Sequence, residues 1–184
     1  MTQTYALLLR GINVSGHRKV PMPELRTVLE ELGHRNARTY LQSGNAVFTT
    51  DSTAGEDALT TRIEDAIESR FGFRVDCLVR DGDYLAAVAD ACPFPAAELQ
   101  GKQLHAFYLS GPADPERFAA IDRAAYLPED FALDDRVLYL HVPEGLGRSK
   151  LADVLTRPSV VKGLVVTARN WNTVVKLVEM TREA

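Results

Sequence analysis

Residues 5–25, YALLLRGINVSGHRKVPMPEL, constrain what this chain can fold into more than any other stretch. An apolar run ends at Arg10, a glycine-bounded polar loop occupies 11–19, and Pro23 opens a helical pattern. The run at 4–9 hardly alternates between apolar and polar, which predicts a central strand covered on both faces. Leu25, Val28, Leu29 and Leu32 then recur at helical spacing. Proline suits a first helical position and Gly33 stops the helix. The order strand, loop, helix is thus set early, and the loop carries lysine, arginine and asparagine but no carboxylate.

The same reading continues downstream. Residues 37–42 and 45–49 form two short strands around a Ser43-Gly44 hairpin turn. Thr53 and Glu56 match a capping box, and Leu59, Ile63, Ile67 and Phe71 line one helical face behind it. Residues 74–79 are a fourth strand, and Asp83 caps a helix carrying Leu85, Val88, Ala89 and Cys92. The order β-α-β-β-α-β is the split, ferredoxin-like arrangement. Right-handed crossovers put its first strand beside the third, with the second outside.

After a Pro93-Phe94-Pro95 linker the order starts again, although the residues themselves do not visibly repeat. A strand at 105–109 precedes a helix begun by Asp114 and Pro115, with Phe118, Ile121 and Ala125 inward. Strands at 131–133 and 137–142 follow, then a helix capped by Ser149 with Leu151, Val154 and Leu155. Pro158 and Gly163 interrupt it before a short strand at 164–167. Asn170 caps a last helix with Trp171, Val174, Val175 and Val178 facing in. The expected class is α+β: a ferredoxin-like subdomain at 1–95, and a second α+β subdomain at 96–184 of similar strand–helix order that ends in the C-terminal helix.

Charge is unevenly spread. The chain totals −4, which gives no general attraction to nucleic acid or an anionic membrane. Yet the segments 10–20, 41–50, 147–150 and 167–175 hold six lysines and arginines and no acid, leaving −10 on the rest. A basic locality on an acidic body points to a small anionic ligand. Strand direction predicts that the segments meet. In the split order the first two strands run parallel, so the loops at 10–19 and 42–45 share one sheet edge. The third and fourth strands of the second half bring Arg148-Ser149-Lys150 and Arg169-Asn170 together in the same way. The expectation is a cleft between the subdomains where both edges contribute.

The residues expected to bind are Arg10, Lys19, Arg148, Lys150 and Arg169 for charge, with Asn13, Gln42, Ser43, Asn45, Asn170 and Asn172 for orientation. Gly11 and Gly16 match the front of a phosphate-loop pattern, but His17 and Arg18 stand where lysine and a hydroxyl are required. What survives is a loop of backbone N–H groups and cations suited to an anion. Ser149 lacks a nucleophile elbow and reads as a helix cap, and Ser43 reads as a turn residue. Trp171 reads as a core anchor. The histidines show no ligand spacing, so no metal is expected, and no cofactor is implied. Cys77 and Cys92 read as reduced thiols. The N-terminus shows no charged leader and no apolar run reaches membrane-span length, so a cytoplasmic protein without membrane contact is expected.

RGINVSGHRKV, YLQSGNAVF, GRSKL and TARNWNTVVKL, in this order over nearly the whole chain, resemble the bacterial domain-of-unknown-function family numbered 1697. The family's first stretch usually reads RGINVGGKNKV, so Ser15 and His17 replace a glycine and a lysine, and Lys19 alone keeps the lysine role. The resemblance implies an α+β fold with a ferredoxin-like part and no particular activity. Three readings of function follow. The first is a binder of a small phosphate-bearing ligand. The second is an RNA- or ribosome-associated protein using the same cations, against which the third strand lacks the aromatic signature for base stacking. The third is an enzyme stabilising charge electrostatically, with Ser43 or Ser149 as its available nucleophiles.

Overall fold

In the computed structural model, which describes all residues Met1–Ala184, the strand begun by the opening apolar run is buried on both faces. This strand, β1 (Gln3–Leu9), is flanked by β3 (Asn45–Thr50) and β4 (Cys77–Asp81), both antiparallel to it, while β2 (Arg35–Tyr40) lies outside β3. The order β2-β3-β1-β4 therefore has the first strand beside the third and the second outside, as right-handed crossovers require. Helices α1 (Met22–Glu31) and α2 (Glu56–Phe71) bury Leu25, Val28, Leu29, Leu59, Ile63 and Ile67 against Leu7, Leu9, Phe48 and Val79 of the sheet. Ala6, Leu8, Val47 and Leu78, on the opposite face, are equally buried. The chain divides into two units, Met1–Ala87 with Leu177–Ala184, and Val88–Lys176.

Several local expectations change. The hairpin connection is four residues, 41–44, and both Leu41 and Gly44 have positive φ. Thr53 caps nothing: α2 starts after Gly55, and Glu56 instead reaches the buried Arg80 on β4 (3.3 Å) and accepts from the Asp81 backbone N–H (3.2 Å). The cap of α3 (Gly82–Asp90) is Asp81, whose Oδ1 accepts from Tyr84 N–H at 2.7 Å, rather than Asp83. Long-range partners decide these points, and a local pattern cannot contain them.

The second unit repeats the scheme. Its strands are β5 (Leu104–Leu109), β6 (Asp130–Asp134), β7 (Val137–His141) and β8 (Val166–Asn170), in the order β6-β7-β5-β8 with antiparallel neighbours. Helix α4 (Pro115–Ala119) is capped by Asp114, and α5 (Lys150–Leu155) by Ser149, as expected. With α6 (Pro158–Val161) they cover Phe107, Phe131, Leu138 and Leu140. Residues repeat as well as elements. Arg80 lies opposite Ala6 on β4, and Arg169 lies opposite Ala106 on β8. In each unit the next residue, Asp81 or Asn170, caps the following helix.

That last helix, α7 (Trp171–Glu183), carries Trp171 buried beside Tyr139, but Val175 is exposed rather than inward. Its final turn packs in the first unit. A Cβ on Gly82 would meet Thr181 at 3.1 Å, and Arg38 donates to the Met180 carbonyl (2.6 Å) while pairing with Glu183. A cation at a helix C-terminus answers the free carbonyls there. No helix is long and apolar enough to cross a membrane.

Two histidines are buried without a partner for Nδ1, His34 stacked on Phe48 and His105 on β5. Burial lowers the pKa of both, with Arg62 adding to the effect at His34, and His105 falls to about 4. The unfolded chain takes up these protons near pH 6.5, but folded His105 does not until about pH 4. Stability is therefore complete above pH 6.5 and falls as pH drops between those values, by as much as about 3 kcal/mol at His105. Urea unfolding at pH 7, 5.5 and 4.5 is expected to show this loss, with a shallower acid slope in His105→Gln. An unchanged slope in that variant would refute the assignment.

Candidate anion site

Both β1 and β2 are antiparallel to β3, so they point the same way and their C-terminal ends share an edge of the first sheet. The loop after β1 is built there as a small finger. Asn13 N–H donates to the Arg18 carbonyl (3.1 Å) and His17 N–H to Val14 (2.9 Å). The central residues Ser15 and Gly16 are both left-handed (φ 51° and 75°), as a type I′ turn requires. Buried Ile12 and Val20 hold its base, and Arg18 ties its side to the connection between α2 and β4, donating to the Arg74 carbonyl and lying over the Phe73 ring.

Asn13 joins this finger to the β2–β3 connection. Its Oδ1 accepts from Val20 N–H (2.9 Å), while Nδ2 donates to the carbonyls of Val20 (3.0 Å) and Gln42 (2.6 Å). Behind it Leu9 N–H donates to the Gly44 carbonyl, and Gly44 presses on Leu9 and Ile12 so closely that a Cβ would lie 2.8 Å from one and 2.9 Å from the other. The two loops, some thirty residues apart in sequence, therefore meet as strand direction predicts. The pinned edge leaves Arg10, Lys19, Gln42 and Ser43 exposed. One carboxylate approaches, Asp76, at 3.9 Å from Arg10.

Several expected ligand residues are occupied within the protein. Asn13 is the pin just described. Asn45 is fully buried, with Nδ2 donating to the Tyr40 carbonyl and to Ser43 Oγ, and so shapes the turn. In the second unit Ser149 is buried, its Oγ capping Ala152 N–H and donating to Glu129 at 2.7 Å. Glu129 also accepts from Leu151 N–H (3.2 Å), so the anion required at the start of α5 is supplied by the chain itself. Asn170 caps α7, and the Asn172 side chain lies against the Cα of Gly101. Arg169 is 8% exposed and donates to Thr167 Oγ1 (2.7 Å) and the Ala168 carbonyl, and burial lowers its pKa to about 10. Arg148 and Lys150 remain exposed on either side of Ser149.

Of the two serines considered as nucleophiles, Ser149 is a closed cap, while Ser43 accepts from Asn45 within the turn and stays exposed. Asp76 and Glu129 carry no sequence signal, since their partners are distant along the chain. Arg80-Asp81 did carry one: VRDGD and ARNWN share an arginine, then Asp or Asn, at matching strand ends.

The pin makes two outcomes measurable. Asn13→Ala loses three hydrogen bonds and places alanine at φ 54°, so it is expected to cost about 2–3 kcal/mol in denaturant unfolding. Asn13→Gly, which tolerates that backbone, should lose roughly 1 kcal/mol less. Gly44→Ala combines φ 95° with the clash against Leu9 and Ile12 and is expected to cost about 2–4 kcal/mol. A near-neutral Gly44→Ala would show that this edge is not tightly packed.

Comparison with known proteins agrees with this architecture. No curated protein matches the chain in sequence. Among solved structures, the conserved bacterial protein SP0830 from Streptococcus pneumoniae superposes with a TM-score of 0.77 at 24% identity, over 98% of this chain and 99% of that one. It has the same fold. The model of the family described as "Protein of unknown function (DUF1697)" matches residues 1–139, and the chain belongs to that family.

Proposed function

We propose that the protein binds a small phosphate-type anion at the pinned edge of its first unit. Arg10 and Lys19 supply charge, and Gln42 and Ser43 supply the amide and hydroxyl that orient the ligand. The observation that carries this reading is the Asn13 pin. It holds two acid-free loops together without drawing on the side chains of Arg10, Lys19 or Gln42. Loops whose backbone is already joined need less ordering when an anion arrives, so less of the binding energy goes into bringing them together. Asp76 is the competitor, and at 3.9 Å between exposed groups it holds Arg10 weakly.

The test is a thermal-shift and calorimetric titration of the full chain with inorganic phosphate, sugar phosphates and nucleotides. At a hundredfold excess over Kd, binding is expected to stabilise by about 2.7 kcal/mol, roughly 5–10 °C in Tm for a chain of this size. Arg10→Ala and Lys19→Ala should each weaken binding about tenfold, and Asp76→Asn should tighten it about twofold to fivefold. Failure of every phosphate probe to raise Tm at millimolar concentration would refute the proposal.

A further inference from the structure

Two large apolar side chains lie exposed on the two pinned loops. Val14, beside Asn13 on the finger, is 57% exposed, and Leu41, beside Gln42 on the connection, is 53% exposed. Single exposed apolar residues are ordinary on a protein surface. Here one stands on each loop, and the Asn13–Gln42 hydrogen bond joins those loops at the neighbouring residues. Leu41 is also costly twice over. Its backbone is left-handed at φ 59°, where a branched side chain is strained and Gly or Asn would rest easily. Its side chain stays about half exposed, so burial offsets only part of that strain. Folding alone would favour a small polar residue at this position, so the leucine calls for another reason. Costs of this kind persist where a surface is kept for a ligand.

We infer that the anion taken by this edge carries an apolar substituent, so that Arg10 and Lys19 hold a phosphate group while Val14 and Leu41 cover an adjoining hydrocarbon part. The inference rests on the basic-edge reading above and narrows its ligand to an amphipathic phosphate monoester. A free small molecule fits better than an anionic membrane, because the remainder of the chain carries −10 and would be repelled by such a surface. RNA fits less well, because Val14 and Leu41 offer no ring on which a base would stack.

The experiment compares inorganic phosphate with hexyl phosphate by calorimetry on the full chain. Hexyl phosphate is expected to bind at least about tenfold more tightly, the effect of covering a few methylene groups. Val14→Ser and Leu41→Ser should each reduce that preference severalfold and leave inorganic phosphate binding unchanged. Leu41→Asn should lower the preference while raising Tm by ~1–3 °C, because it relieves the left-handed leucine. A lowered Tm in Leu41→Asn would mean that the leucine serves stability, and would overturn the inference. So would a preference that survives the Val14 and Leu41 substitutions, or co-sedimentation with phosphatidylglycerol vesicles that both substitutions abolish. Phosphate bound with no preference for hexyl phosphate defeats this inference and leaves the basic-edge reading standing. If neither probe binds, this inference falls, and the basic-edge reading falls with it when sugar phosphates and nucleotides fail as well.

Discussion

The candidate site depends on one side-chain amide. Asn13 presents a donor and an acceptor to the N–H and C=O of Val20, and its Nδ2 also donates to the Gln42 carbonyl. Asparagine suits the position for two reasons: it supplies both kinds of hydrogen-bonding group, and it tolerates the left-handed backbone found there. Gly44 answers from the other side, where only a hydrogen fits between the turn and Leu9. Together they turn two loops that would otherwise move independently into one surface. The backbone that carries Lys19 is held by this contact at the neighbouring Val20, while Arg10 is also tied through its N–H to the Asp76 carbonyl.

The chain also neutralises charge internally, and this separates binding residues from structural ones. Arg80 and Glu56 form an ion pair largely withdrawn from water, and Glu56 extends the network to the backbone at Asp81. Losing one partner of such a pair would strand the other in a poorly solvated setting, so both read as structural. Glu129 does the same service at the start of α5, satisfying Ser149 and Leu151 N–H. A polar residue at a conspicuous place in the sequence is therefore not thereby available to a ligand. Asn45 and Asn170 each looked suited to recognition, and each is instead hydrogen-bonded to a backbone group of the chain.

Much of the architecture was legible beforehand because it is written in short-range pattern. The unalternating run at β1, the helical spacing of Leu25, Val28 and Leu29, and the Asp114-Pro115 start of α4 all depend on neighbours a few residues away. What was misread depended on contacts across the fold. Thr53 and Glu56 have the spacing of a capping box, but Arg80 lies within reach of Glu56 and draws it away. Val175 falls on the apolar side by spacing alone yet faces solvent. The repeat of Arg80-Asp81 in Arg169-Asn170 was present in the letters. Without the matched strand positions, two shared residue types were too few to notice.

By itself, then, the sequence determined the α+β class, the order of elements in both halves, and the meeting of the 10–19 and 42–45 segments, since strand direction follows from connectivity. It also determined that the 10–19 segment carries cations and that neither segment carries an acid, which is a matter of composition. Only the tertiary structure decided which of those groups remain exposed to solvent. That outcome turns on Asp76 approaching Arg10, Glu129 reaching Ser149, and Arg169 being buried within β8. The physical reason is range: hydrophobic periodicity and caps act over a turn of helix or a hairpin, whereas hydrogen bonding and charge pairing act between whichever groups the finished fold brings within about 4 Å.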